Sequence, residues 1–131
     1  MSQENVDVFL KGADAICRRD EGAIPELVHR EMVFEPRRAG TEGAFVGPEG
    51  MRRFLADTAE IFEVFQLQFA DVRDLGDRVL GIGSIHVRGR GSGVETDMTI
   101  AIVAEYRDGL LWRFKDYGEA RLALEAVGLR E

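Results

Sequence analysis

The chain has 131 residues, of which 45% are hydrophobic and 31% charged, and its formal net charge is -7 at pH 7. This length and composition predict one globular domain over residues 1–131 with a core of its own. The acidic balance argues against a nucleic-acid partner, because phosphates are bound by clustered Lys and Arg side chains.

The N-terminal residues carry no targeting signal. The first five residues contain neither a basic patch nor an apolar run, and no apolar stretch of the chain approaches the length of a membrane span. We therefore expect no membrane partner and a cytoplasmic location. Cys17 is the single cysteine and falls among apolar residues, where cysteine acts as a small hydrophobic side chain.

The first half of the chain has the apolar spacing of helices. Residues recurring at i, i+3, i+4 and i+7 predict an amphipathic helix over 6–17. A short helix is predicted over 23–29, then a brief strand over 32–35 that stops at Pro36, then a Gly-rich, charged loop over 37–47. Gly47-Pro48 begins a third helix, whose predicted buried face consists of Met51, Phe54, Leu55, Thr58, Ile61 and Phe62.

From Phe65 onward the apolar period changes to two, which is typical of half-buried strands. Turns rich in Gly and Asp separate further strands over 78–88, 94–106 and 110–118. A final helix over 119–127 ends at Gly128. Helices followed by a four-stranded antiparallel meander indicate the α+β class. We expect a curved antiparallel sheet, wrapped by the N-terminal helices around an apolar pocket.

The middle strands indicate where a pocket and an interface lie. Gly81 and Gly83 share one face of their strand, which predicts a bend or a close approach there and also empty volume on that face. On the next strand, alternation places the apolar residues from Met98 onward on the core face and Ala101 and Val103 on the other. That second face mixes small, apolar and charged groups, so we expect a partner subunit to cover it in a homodimer.

Several turns and helix ends resemble those of one known superfamily. They are the segments FVGPEGMR at 45–52, DLGDRV at 74–79, GRGSG at 89–93, RDG at 107–109 and ALEAVGL at 123–129. Together with the order of elements, they make nearly the whole chain similar to the nuclear transport factor 2-like superfamily. The nearest branch is the SnoaL-like one, which includes polyketide cyclases and ketosteroid isomerase-like proteins. The resemblance implies a cone-shaped α+β barrel, usually dimeric through its outer sheet face, with an apolar pocket.

Asp116 is the first candidate for chemistry. Alternation places it on the face of Trp112 and Phe114, where desolvation favours the neutral acid and suits it to proton transfer near neutral pH. The resemblance implies the same role, because residues 114–117 match the segment that holds an acid/base aspartate in SnoaL-like polyketide cyclases and an aspartate in limonene-type epoxide hydrolases. The alternative is an edge carboxylate in a surface salt bridge with Lys115 or Arg113.

Glu35 is the second candidate. Val-Phe-Glu-Pro at 33–36 resembles the segment of ketosteroid isomerase where an acidic residue before proline moves the proton. Glutamate replaces aspartate here, so the reach of the carboxylate differs by one methylene. The alternative is a strand-end carboxylate that points to water or to Arg37 or Arg38.

Two departures from those enzymes remove polar groups from the pocket. The resemblance implies that ketosteroid isomerase holds a tyrosine and a protonated aspartate where this chain has Gly12 and Ile102. It also implies that the epoxide hydrolases hold an Arg and an Asp at the positions of Ile100 and Ile102. Neither reaction is therefore expected in its standard form.

No metal or organic cofactor is expected. The two histidines, His29 and His86, show no ligand spacing with the acidic residues. The sequence also lacks a phosphate loop, a nucleotide fingerprint and a nucleophile elbow. His86 alternates with Leu80 and Ile82, which favours a structural or interface role over catalysis.

These patterns predict a domain that binds a small apolar molecule and transfers a proton with Asp116, alone or together with Glu35. The alternative is a non-catalytic ligand-binding or dimeric interaction domain of the same fold. A solvent-exposed, salt-bridged Asp116 or a filled pocket would favour that alternative. The predicted lining of the pocket comprises Phe9, Phe54, Met98, Ile100, Ile102, Trp112 and Phe114.

Overall fold

A curved sheet of six strands forms the body of the protein in the computed structural model, which describes residues 2–36 and 43–129. The strands are β1 (Val28–Glu35), β2 (Phe45–Val46), β3 (Phe62–Asp74), β4 (Arg78–Gly89), β5 (Glu95–Arg107) and β6 (Leu110–Asp116). The four described helices are α1 (Ser2–Arg18), α2 (Ile24–Leu27), α3 (Gly47–Ile61) and α4 (Ala120–Ala126). The predicted α+β class is confirmed. No helix among the described residues is long and apolar enough to cross a membrane.

The sheet is mixed and unclosed, with the order β2-β1-β6-β5-β4-β3. The predicted meander is present, because β3 to β6 are each antiparallel to the next strand. The prediction of an antiparallel sheet is wrong at β1, because β1 pairs in parallel with β6 and antiparallel with β2. Val28 and His29, predicted to end the short helix, begin β1 instead. A one-turn helix such as α2 is too short for its end to be set by periodicity.

Aromatic packing joins β1 to α3 on the inner face of the sheet. Phe34 is 1% exposed, and its ring centroid lies 4.2 Å from that of Phe114 and 4.8 Å from that of Phe54. Full burial of such a side chain contributes about 1.5–3 kcal/mol. The predicted buried face of α3 holds except at its end, where Ile61 is 47% exposed and Phe62 begins β3.

Helix α1 packs closely on β3 and β4 through Phe9. A Cβ on Gly81 would lie 2.5 Å from Cζ of Phe9 and 3.1 Å from Cδ1 of Phe69. A Cβ on Gly83 would overlap the carbonyl oxygen of Gln68. The structure therefore shows the predicted close approach at Gly81 and Gly83, and the prediction of empty volume there is wrong.

Helix α4 lies on the outer face of the sheet. Leu124, which is 2% exposed, belongs to the same apolar cluster as Leu80, Ala101 and Val103. Ala101 is fully buried and Val103 is 8% exposed in the single chain. The chain's own C-terminal helix therefore covers part of the face on which we expect a partner subunit, and Val103 also lines an open depression on that face.

Candidate functional site

The inner face of the sheet encloses a cavity of about 270 Å³, which we call the large cavity. Its described lining is apolar except at one residue: five isoleucines, Pro36, Leu67 and Met98 surround it together with Phe34, Phe54, Phe62, Phe65 and Phe114. Asp116 is the single charged or polar residue of that lining. Sites for small organic ligands have volumes of about 300–1,000 Å³ and mostly apolar walls with few polar groups.

Most of the predicted pocket residues come together here. Phe54, Met98, Ile100, Ile102 and Phe114 line the large cavity with Asp116. Phe54 lies on α3, the three residues from Met98 to Ile102 lie on β5, and Phe114 and Asp116 lie on β6. The alternation of β5 and β6 places these residues on the inner face, because opposite residues of an antiparallel pair share a face.

Phe9 lines a separate and smaller cavity of about 50 Å³, which we call the small cavity. Gly12 lines it as well, and no atom lies within 4 Å of where its Cβ would be. Tyr106 reaches the same cavity, and burial raises the pKa of its phenol above the ordinary value. Phe114 lines both cavities and lies between them.

Sequence reasoning missed several lining residues. Phe34 and Phe65 line the large cavity from β1 and β3. A signal for Phe34 was available, since Met32 and Phe34 alternate inward on β1 and are 0% and 1% exposed. The predicted strand over 32–35 contains both residues, but it is the first half of the strand, from Val28, that the sequence does not reveal.

Trp112 does not line either inner cavity, although alternation predicted it beside Phe114 and Asp116. The register of β5 and β6 shifts between Glu105 and Tyr106, so Trp112 is an extra residue on the β6 side. Such a bulge turns a side chain to another direction. The ring packs under the guanidinium of Arg107, 3.6 Å from the ring centroid, and lines a depression on the outer face.

Glu35 lies on the opposite face of the sheet from Asp116. Its neighbour Phe34 points inward, and Glu35 lines the outer depression together with Arg113 and Lys115. The structure therefore does not bring the two predicted carboxylates into one pocket. Of the alternative partners for Glu35, residues 37 and 38 lie outside the described residues.

Asp116 is half-buried at the end of β6, where its backbone pairs with Ile102. Its Oδ1 accepts hydrogen bonds from the backbone N–H of Gly118 at 2.8 Å and of Ala101 at 3.2 Å. No described residue donates to Oδ2. The carboxylate is thus held in place through one oxygen, and the alternative of a surface salt bridge with Lys115 or Arg113 is not what the described residues form.

The two N–H donors of Asp116 could not be predicted from the sequence. Alternation indicates which way a side chain faces and not which backbone groups it meets.

Among the described lining residues of the large cavity, no side chain offers a donor that could stabilise an anion. None of its described lining residues carries a hydroxyl, an amide or a cationic side chain. The places where the resemblance implied a tyrosine and a second acid hold Gly12, on the small cavity, and Ile102. Among the described residues, no three His, Cys, Asp or Glu side chains are placed to hold a metal ion.

His86 lies away from both cavities, on the outer face. Its Nδ1 is 2.7 Å from Oδ1 of Asp97, and its Nε2 is 2.9 Å from Oε1 of Glu95. Carboxylates only accept hydrogen bonds, so both ring nitrogens must carry a proton to make both contacts. The bond to Asp97, followed by that to Glu95, raises the pKa of His86 above its ordinary value.

Comparison with known proteins gives one match at the level of sequence families. The sequence pattern of the SnoaL-like domain matches residues 10–114. No curated protein matches the chain significantly.

Solved structures share the fold over nearly the full chain. TerC, co-crystallised with polyporic acid, is 21% identical with a TM-score of 0.76, and the match covers 94% of this chain and 96% of TerC. An NTF2-like protein of unknown function from Burkholderia pseudomallei is 15% identical with a TM-score of 0.79, covering 98% and 99%. A hypothetical protein with a ketosteroid isomerase-like fold from Catenulispora acidiphila, in complex with trimethylamine, is 17% identical with a TM-score of 0.76, covering 93% and 92%. At these identities the likeness establishes a common fold.

Proposed function

The chain belongs to the SnoaL-like domain family, and from this premise we propose that it binds a small, largely apolar molecule in the large cavity. One observation carries the proposal: an apolar cavity of about 270 Å³ with a single carboxylate in its described lining. Such a cavity is the usual form of a small-molecule site. Two proteins of the same fold were crystallised with small molecules, polyporic acid in one and trimethylamine in the other.

Filling the cavity tests this proposal. Met98 lines the large cavity and is half-buried, so Met98→Trp should occupy volume that a ligand needs. Val94 is 63% exposed and lies outside the strands, so Val94→Trp is a matched control. We expect a panel of apolar compounds to raise the melting temperature of the wild type and of Val94→Trp, but not of Met98→Trp. Compounds that stabilise all three proteins equally would contradict binding in this cavity.

Proton transfer by Asp116 is the second candidate function. The observation that favours it is a carboxylate held through Oδ1 whose Oδ2 meets no described donor. A general base needs this combination of fixed position and free lone pairs. Glu35 is not included, because it lies on the other face of the sheet. We expect the wild type, and not Asp116→Asn, to exchange acidic C–H protons of bound cyclic ketones in deuterated water; equal exchange by both would exclude Asp116.

We also infer that two copies pair through the outer face that carries Val103, as the sequence predicts. The support is a depression of about 320 Å³ on that face, lined by Trp112 and Tyr117 among charged residues. Aromatic residues and Arg are enriched in interfaces. Sedimentation velocity should show a dimer at micromolar concentration, and a monomer at every concentration would contradict this assembly.

A further inference from the structure

Among the described residues that line the large cavity there is one carboxylate and no cationic side chain. Asp116 contributes a carboxylate, and no Lys, Arg or His nitrogen among the described residues lies within 4 Å of it. The guanidiniums of Arg19 and Arg90 both donate to the carbonyl oxygen of Phe62, a lining residue, but neither arginine lines the cavity. A neutral apolar ligand would leave this carboxylate unpaired, and an anionic ligand would be repelled by it.

The aromatic walls reinforce this preference. Five phenylalanines line the same cavity, and the faces of aromatic rings attract cations through their quadrupole. Phe114 and Asp116 stand two residues apart on the same face of β6. A cation held by the carboxylate of Asp116 therefore also lies beside an aromatic ring.

Folding has already positioned the carboxylate. Oδ1 is fixed by the backbone N–H groups of Gly118 and Ala101, so a ligand does not have to order this side chain. Folding also removes part of the water around Asp116, which is half-buried before any ligand binds. An incoming cation has to give up its own hydration, and a hydrophobic amine with one N–H holds that hydration weakly.

From this arrangement we propose that the large cavity selects a hydrophobic amine that is protonated at neutral pH. Its N–H donates to Oδ2 of Asp116, and its hydrocarbon body fills the space between the phenylalanine rings. The inference rests on the proposed binding function and narrows it to one ligand class.

Two probes of the same shape separate the effect of ligand charge on binding from the effect of ligand size. N,N-dimethylbenzylamine is a cation at neutral pH, and isobutylbenzene is its uncharged counterpart with carbon in place of nitrogen. Binding of both is measured by NMR titration of the wild-type chain and of Asp116→Asn. The asparagine keeps an acceptor oxygen for Gly118 and Ala101 and removes only the charge.

We expect the wild type to bind the amine at least about tenfold more tightly than the hydrocarbon, and Asp116→Asn to lose that preference. Equal binding of both probes by the wild type would overturn the inference and leave the proposed binding function standing. Binding of neither probe would overturn both. A preference that survives in Asp116→Asn would overturn the assignment to this carboxylate. If the variant is unstable, the wild-type comparison alone decides the charge preference.

Discussion

Asp116 serves the strand end and the cavity at the same time. Its Oδ1 accepts from the N–H of Gly118 two residues further along, which is an Asx-type turn. Gly118 has a φ of +81°, a conformation that glycine adopts without strain. The same oxygen also bonds the N–H of Ala101 on β5. One side chain therefore ends β6 and ties it to β5, while its second oxygen meets no described donor.

Substitutions at Asp116 should separate these two roles. Asp116→Ala removes the acceptor for two partly buried N–H groups and should lower the free energy of unfolding by about 1–3 kcal/mol. Asp116→Asn retains an acceptor oxygen and should cost less than about 1 kcal/mol. Urea denaturation of the three proteins measures both values. Equal losses in Ala and Asn would show that the charge, and not the acceptor, stabilises this turn.

At the residue scale, alternation predicted the inward face of Asp116 and Phe114 but not that of Trp112. The difference is the single bulge in β6, which nothing in the local sequence signals. Glu35 was misplaced for a different reason. The match to Val-Phe-Glu-Pro identifies a segment, whereas the face of Glu35 is set by the parallel pairing of β1 with β6, which joins residues far apart in sequence.

Helix α1 packs tightly on the sheet at Phe9 and loosely at Gly12. Gly81 on β4 lies directly under the ring of Phe9, whereas Gly12 faces the small cavity with no atom within 4 Å of its Cβ position. There is therefore no room for a side chain at Gly81, whereas there is room for one at Gly12. Gly81 is required by packing, and Gly12 is a weak point of the helix.

Alanine at each of these positions should change stability in opposite directions. Gly81→Ala forces its Cβ against the ring of Phe9 and should lower the free energy of unfolding by about 1–3 kcal/mol. Gly12→Ala meets open space inside a helix and should raise it by about 0.5–1 kcal/mol. Chemical denaturation checks both. A stabilising Gly81→Ala would show that Phe9 moves aside easily and that the contact is not tight.

The pair β4 and β5 also carries a charge cluster on its outer face. His86 lies between Asp97 and Glu95 across the strand pair. Because hydrogen bonds to Asp97 and then Glu95 raise the pKa of His86, protonation favours the folded state. The stabilisation is complete below the unfolded pKa of about 6.5 and is lost as the pH rises through the higher folded pKa.

Removing the carboxylate of Asp97 should lower the raised pKa of His86. In Asp97→Asn, the pKa of His86 followed by NMR of its ring should fall toward about 6.5. The stability difference between wild type and His86→Gln should be larger at pH 5.5 than at pH 9, because only the imidazolium bonds both acids. A His86 pKa that is the same in wild type and Asp97→Asn would contradict the bridging contact.

In the whole molecule, the unclosed sheet separates two environments. Its inner face, with α1 and α3, encloses the large cavity and its single described carboxylate. Its outer face carries α4, His86 and the depression beside Trp112. The meander and the helices could be predicted because turns and periodicity are local signals. The β1–β6 pairing closes a loop of most of the chain, and no local pattern encodes it.

The methionine methyl groups test most directly whether the large cavity is the binding site. Met98 lines the large cavity, Met51 lines the small cavity, and Met32 is fully buried and lines neither. In a ¹³C-methyl spectrum, titration with N,N-dimethylbenzylamine or isobutylbenzene should shift the Met98 resonance saturably and leave Met51 and Met32 in place. A silent Met98 at saturating probe, or a saturable shift at Met51 without one at Met98, would contradict binding in the large cavity.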